Sequence, residues 1–296
     1  LEPERFGQLD AEVVGPIGVS PDGTIVVFVS DVDDFGIWAT TDLQSWTQVE
    51  SPDFAGPNLQ VVGSIAWGNA GFVAVGKDAM GAGVWVSPDG FEWTKVQDDA
   101  LLPEEWGAAD MYDVTAGGPG YVAVGSVGFR GPGGPGGIST ENAGDAIWVS
   151  ETGYDWELQT VDDPGDGGLL SVEANPATGR LIAFGGDHWY SNDGYQWEWV
   201  DRTVPLGGPP PGSRVAWQGN VAVAGFYDSA FSLWVSGDAG ETWNRIDHEH
   251  PEFDWCGYFR DIIEVDDHFV AHGYRAGETG CNANLVRALW IGTTEE

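Results

Sequence analysis

The chain of 296 residues carries 47 acidic side chains against 11 basic ones, a formal charge of −36. Nucleic acid is held mainly by Lys and Arg on its phosphates, so this balance excludes it as a partner, and it disfavours an anionic membrane leaflet for the same reason. Charged residues are only 20% of the chain and hydrophobic ones 42%, with two lysines in all, Lys77 and Lys95. A folded core is therefore expected rather than a disordered acidic tail, and no apolar run approaches the roughly 20 residues that cross a bilayer. The chain begins at Leu1 with a polar segment, and it is expected to be a processed product whose leader is missing.

Taken in chain order, one pattern returns. An apolar strand rich in Val and Ala, often ending in Gly, occurs at 25–31, 72–78, 121–127, 181–187, 221–228 and 269–275. After it comes a unit of Trp, then Ser or Thr with Asp, Asn or Gly, then a second Trp, at 36–50, 83–97, 146–160, 187–201 and 232–247, with a partial copy at 288–294. Trp38 to Trp46, Trp85 to Trp93, Trp148 to Trp156 and Trp189 to Trp197 are each 8 apart, and Trp234 to Trp243 is 9. Upstream of the last five of these apolar strands lies another short one, at 61–68, 113–118, 169–174, 213–218 and 260–265. Four short strands per repeat, with no helical periodicity between them, predict the blades of a propeller, strands A to D running outward from the axis.

The expected fold is all-β: a six-bladed β-propeller of four-stranded antiparallel blades in a single domain, 1–296. The blades are placed at about 11–52, 58–99, 107–163, 167–203, 209–250 and 254–296. Residues 1–10 are expected to supply the missing outer strand of the last blade, with Phe6 at the Trp position and Leu9 at the Val position, so that the N-terminal strand closes the ring.

The segment SGDAGETW at 236–243 matches the Ser-x-Asp-x-Gly-x-Thr-Trp pattern of the Asp-box, or BNR repeat, and SPDGFEW, SNDGYQW, SETGYDW and TTDLQSW are shorter or degenerate forms. The chain thus resembles the Asp-box β-propellers, a superfamily of sialidases, other glycoside hydrolases, sortilin-type receptors and photosystem assembly factors. The resemblance covers essentially the whole chain and implies the fold, whereas its members share little function beyond the scaffold.

Asp42, Asp89, Asp193 and Asp238 look like a set of catalytic carboxylates, but the expected role is structural. Ser and Asp bond to turn backbone, Gly90, Gly194 and Gly240 permit a left-handed turn, and Trp46, Trp93, Trp156, Trp197 and Trp243 pack between sheets. Subtracting these and the Trp residues that lead the C strands leaves five of the 16. Trp67 and Trp217 are expected near the axis and Trp199 on the outer rim. Trp106 and Trp255 fall in long D-to-A connections and are ligand-contact candidates, for sugar stacking or protein contact, unless each packs its own loop. Glu105, Asp110, Tyr258 and Arg260 flank them.

Cys256 in the D-to-A connection of blade six and Cys281 in its B-to-C connection share one face. They form either one disulfide or two free thiols; the disulfide would close a loop of about 25 residues, stabilise by about 3 kcal/mol, and support a secreted or cell-surface location. Metal content is unknown from sequence. His248, His250, Glu252 and Asp254 alternate like ligands without a third cluster, and the acidic runs 31–34 and 162–166 suit calcium but lack the twelve-residue loop. Structural calcium stays open and no other cofactor is expected. The glycine-rich insertion at 128–137 has no Lys-Ser or Lys-Thr after it, so it is a contact loop rather than a phosphate cradle.

The sialidase resemblance implies three arginines from separate blades and a Tyr-Glu pair with an Asp acid/base. Arg214 and Arg260 open A strands, but no third inner arginine is evident and the early Arg-Ile-Pro segment is replaced by ArgPheGlyGln at 5–8. Sialidase activity is not expected. A neutral glycan could be cut by two carboxylates drawn from Glu104, Glu105, Asp110, Asp113, Asp254 and Asp261. The reading favoured is a non-catalytic extracellular propeller that binds a glycan or protein ligand through its D-to-A and B-to-C loops. The alternatives are a glycoside hydrolase or lyase at the pore mouth and a structural subunit of a surface assembly. Oligomeric state is left open, and with so few lysines the chain is expected to gain stability with added NaCl or calcium.

Overall fold

The B strands are mostly apolar because both of their faces meet another sheet. In β6 (Gly71–Lys77), Phe72 and Ala74 enter the core shared with the sheet before, while Val73 and Val75 enter the core shared with the sheet after. The computed structural model describes residues 13–30, 35–54, 61–78, 81–101, 107–128, 144–160, 168–185, 188–200, 214–228, 230–246, 258–265, 268–276 and 285–293.

Within them the chain is a six-bladed β-propeller of antiparallel sheets, whose only helix is two single 3-10 turns, Pro52–Phe54 and Asp99–Leu101. Five sheets have four strands and the sixth shows three among the described residues. The expected closing strand at 1–10 and the upper part of several connections lie outside them.

The chain forms two compact units, Leu1–Val172 and Glu173–Glu296. The first unit holds three whole sheets. These are β1 (Val13–Val19) to β4 (Thr47–Val49) with β2 (Ile25–Ser30) and β3 (Phe35–Thr40) between; β5 (Val61–Gly68), β6, β7 (Ala82–Ser87) and β8 (Thr94–Lys95); and β9 (Ala108–Gly117), β10 (Gly120–Gly128), β11 (Gly144–Ser150) and β12 (Glu157–Thr160). Inner strands β1, β5 and β9 lie side by side. One core between successive sheets is built on Phe28, Ile37, Phe72, Trp85 and Trp93, the next on Val73, Val84, Met111, Tyr121, Trp148 and Trp156. The first two D-to-A connections each plug such a core: Phe54 stacks on Trp85 at 4.9 Å between ring centroids, and Leu101 is buried in the second core with Trp148.

Four of the inner strands carry a bulge at a corresponding place. Pairing to the B strand skips between Val14 and Ile17, Val62 and Ser64, Met111 and Asp113, and, in the second unit, Phe259 and Asp261. A bulge reverses which face the following residues take. Met111 and Val114 therefore enter the same core although three residues apart. Gly125 sits opposite this bulge, where a Cβ would stand 1.9 Å from the Asp110 carbonyl oxygen.

In the second unit, β13 (Leu169–Ala174), which begins in the first, leads a sheet with β14 (Leu181–Gly185), β15 (His188–Ser191) and β16 (Trp197–Val200). Then follow β17 (Arg214–Gln218), β18 (Val221–Asp228), β19 (Ala230–Ser236) and β20 (Asn244–Arg245), and last β21 (Tyr258–Val265), β22 (His268–Ala276) and β23 (Leu285–Thr293). Phe184, Tyr190, Trp217 and Trp243 build one core here, and Val223, Ile262 and Phe269 another.

Candidate functional site

Antiparallel order gives every sheet two ends. A-to-B and C-to-D links leave at one, the turn end; B-to-C and D-to-A links leave at the other, the loop end.

At the turn end the chemistry is repeated. Ser87 Oγ accepts from Gly90 N at 2.7 Å and Asp89 Oδ1 from the N–H groups of Phe91 and Glu92 at 2.8 and 3.0 Å. Ser191 and Asp193 do the same for Gly194, Tyr195 and Gln196, and Thr40 and Asp42 for Leu43, Gln44 and Ser45. In the third sheet, where no Asp stands, Thr152 Oγ1 accepts from Tyr154 N at 3.1 Å. The longer link of the fifth sheet has Asp238 accepting from both the N–H and hydroxyl of Thr242, with Ala239 and Gly240 both left-handed, which gives the Trp spacing of nine. The indole N–H of Trp93, Trp156, Trp197 and Trp243 donates to the glycine carbonyl three residues back, at 2.8 to 3.0 Å. Trp46 closes the first of these links, half-buried.

These bonds tune the carboxylates. Backbone N–H groups of Ser45 and Gln44 hold Asp42 below the usual carboxylate range, and those of Gln196 and Tyr195 do so for Asp193. For Asp238 burial opposes the charge, but Thr242 and Ser236 outweigh it and the net shift is downward. Neighbouring sheets are fastened at this end as well. Tyr121 Oη accepts from Ala70 N at 2.9 Å and donates to Gly71 O at 3.0 Å, and Asn69 Nδ2 donates to Glu151 O at 2.8 Å. In the second unit Arg180 pairs with Glu241 at 2.9 Å and lies over the Tyr190 ring, whose hydroxyl accepts from Trp243. Burial raises the pKa of both Tyr121 and Tyr190.

At the loop end of the second and third sheets the contacts do not repeat. Both lysines of the chain are here. Lys77, the last residue of β6, reaches the next sheet and pairs with Asp110 at 2.9 Å. Lys95 pairs with Asp78, whose carboxylate also accepts from Gly81 N at 2.9 Å across the B-to-C link, and lies over the Trp85 ring. Tyr112, the bulged residue, bonds Ser126 Oγ at 2.9 Å. Beside it Asp113 is buried, with one oxygen on Val114 N and the other on Val172 N of β13, both at 3.0 Å. The bulge places Asp113 opposite Val124, on the face turned to β13. Asp110 and Asp113, two members of the sequence-nominated carboxylate set, are thereby brought to one strand but engaged with different neighbours.

Of the other nominated residues, Tyr258 opens β21 and Arg260 occupies its bulge, the position equivalent to Tyr112. Glu105, Trp106, Trp255, Cys256 and Cys281 lie outside the described residues, as do the His248–Asp254 run, the acidic segments 31–34 and 162–166, and residues 129–137. Among the described residues no three His, Cys, Asp or Glu side chains gather as a metal site, and no helix is long and apolar enough to cross a membrane. Trp199 is exposed on β16 and Trp217 is buried in β17.

No protein-family model matches the chain, and no curated protein matches it in sequence. Solved structures do match. YCF48 bound to a D1 peptide is similar over 98% of this chain and 81% of its own, with a TM-score of 0.54 and 18% identity. YCF48 from Cyanidioschyzon merolae covers 95% and 86%, with a TM-score of 0.55 and 15% identity. A streptogramin B lyase covers 99% and 86%, with a TM-score of 0.59 at 10% identity. At these identities the likeness is one of fold.

Proposed function

We propose that the chain is a non-catalytic, secreted or cell-surface Asp-box propeller in a single domain, binding a peptide or glycan at its loop end. One observation carries this reading. The inner-strand carboxylates described at that end are committed to holding sheets together: Asp110 to Lys77, and Asp113 to the N–H groups of Val114 and Val172. A glycosidase needs a carboxylate pair facing one another across substrate, one as acid and one as base or nucleophile, and these two are turned to different neighbours. The peptide bound by YCF48, a protein of this fold, supports a peptide ligand. The Ser-x-Asp turns support the Asp-box assignment, since their Ser or Thr and Asp oxygens all accept backbone N–H groups.

In this reading Trp106, Trp255 and Tyr258 supply apolar contact, and Glu105 and Arg260 orient the ligand, with Asp110 kept in place by its pair with Lys77. Residues 1–10 complete the last blade, Cys256 and Cys281 form a disulfide, and the acidic surface keeps the protein soluble in a saline exterior. Calcium in the acidic loops is a further element of the proposal.

The test is a panel of peptides and polysaccharides incubated with the full chain, followed by calorimetry and product analysis. Binding without bond cleavage, weakened by Trp106→Ala and Trp255→Ala, is the expected result. New reducing ends or unsaturated sugar products, lost in Asp110→Asn, would overturn it in favour of a hydrolase or lyase. Intact mass with and without reductant checks the disulfide by a two-hydrogen difference.

A further inference from the structure

The outer edges of the sheets are not alike. A sheet edge offers unpaired N–H and C=O groups, and proteins blunt it with short strands or basic side chains. Strands β8 and β20 are two residues long and carry Lys95 and Arg245, and β4 has three residues. β12 has four, with Leu158 and Gln159 half-buried. β16 also has four, Trp197-Glu198-Trp199-Val200, and carries no base. Its inner side is fully used, pairing with His188 to Ser191 of β15, and among the described residues no strand lies beyond it. Trp199 is 41% exposed, the one tryptophan so exposed among the described residues, and Tyr195 just before the strand is 40% exposed. Trp197, on the same side of the strand as Trp199, is anchored by its indole bond to Gly194.

We propose that β16 is a strand-addition site for an extended basic segment of another protein. Backbone pairing along Trp197–Val200 supplies the adhesion, and a Lys or Arg of the incoming strand lies over the Trp199 ring. Charge selects the occupant. A second copy of this chain brings another −36 to an edge that already carries Glu198, so self-pairing is repelled, whereas a basic segment is drawn in. The site lies on the outer edge of a sheet, and its failure would leave the loop-end reading untouched.

The probe is an acetylated, amidated hexapeptide, Val-Lys-Val-Lys-Val-Lys, titrated into the full chain by calorimetry at low salt. Three comparisons decide the matter. A Glu-for-Lys version is expected to bind at least about tenfold more weakly. N-methylation of alternate amides, which removes strand pairing and keeps the charge, is expected to abolish binding. Trp199→Ala is expected to weaken it about fivefold, and Trp199→Phe less, with melting curves confirming that both fold. Absence of binding at millimolar peptide, equal binding by the N-methylated peptide, or unchanged affinity in Trp199→Ala would each overturn the proposal. So would dimers in sedimentation that disappear in Trp199→Lys.

Discussion

The two ends of the blades use carboxylates in opposite ways. At the turn end Asp42, Asp89, Asp193 and Asp238 each accept N–H groups from their own link, and the pattern returns from sheet to sheet. At the loop end Asp78 pairs with Lys95 inside its own sheet, Asp110 with Lys77 of the sheet before, and Asp113 with the N–H of Val172 in the sheet after, so each carboxylate is engaged in a different direction. Local bonding repeats because each blade must solve the same turn. Bonding between blades at the other end is free to differ, and that freedom is what a binding surface requires.

The largest effect is expected at the repeated end. Trp243 is 2% exposed and its indole N–H is bonded to Gly240 and Tyr190. Trp243→Ala should cost about 3–5 kcal/mol in urea unfolding, and a loss below about 1 kcal/mol would show that these tryptophans do not fasten the sheets. At the loop end, Asp113→Ala leaves the N–H of buried Val172 without its partner and should cost about 1–3 kcal/mol. Asp110→Ala removes an ion pair whose lysine is 37% exposed and keeps access to water, and should cost about 1 kcal/mol; equal losses would erase the distinction between the two carboxylates.

Two substitutions of opposite sign sharpen the account of the turns. Gly90 has φ +87° and a Cβ there would stand 2.6 Å from a methyl of Val26, so Gly90→Ala should destabilise by about 1–2 kcal/mol. Leu43 holds the corresponding place in the first sheet at φ 60° with its side chain exposed, and Leu43→Gly should stabilise by up to about 1 kcal/mol. Thermal melts of the pair check both signs. The smallest effect is that of acid. Asp193 has its pKa lowered by Gln196 and Tyr195 N–H groups, so its contribution is complete above the ordinary carboxylate range and is lost as pH falls below about 4. The melting difference between wild type and Asp193→Ala should therefore shrink toward zero in that window; a constant difference would contradict the assignment.

The strand plan was legible because Trp spacing and apolar B strands are imposed on every blade by the same two-faced burial. Trp67 and Trp217 on inner strands and Trp199 on an outer one followed from that phase alone. The Lys77 and Asp110 pair was not legible, since a repeat fixes the phase within a blade and says nothing of which long side chain crosses to the next. Asp113 was nominated only as one acid among several. Alternation from Met111 would have turned it to the wrong side, and the bulge at Tyr112 that reverses it has no glycine to mark it. The plugs Phe54 and Leu101 were hidden for a related reason: each sits in a connection of irregular length, where period carries no information.

The central claim is that the turn end is scaffold and the loop end binds. Hydrogen exchange of the full chain, with and without the tightest peptide or glycan from the panel, tests it most directly. The account expects added protection in the segments around Asp110–Asp113 and Tyr258–Arg260 and in the adjoining connections 102–107 and 251–257, with the Ser-x-Asp turns unchanged and the ligand recovered intact. Protection centred on the turns at Asp89, Asp193 and Asp238, or a ligand consumed during the incubation, would contradict it.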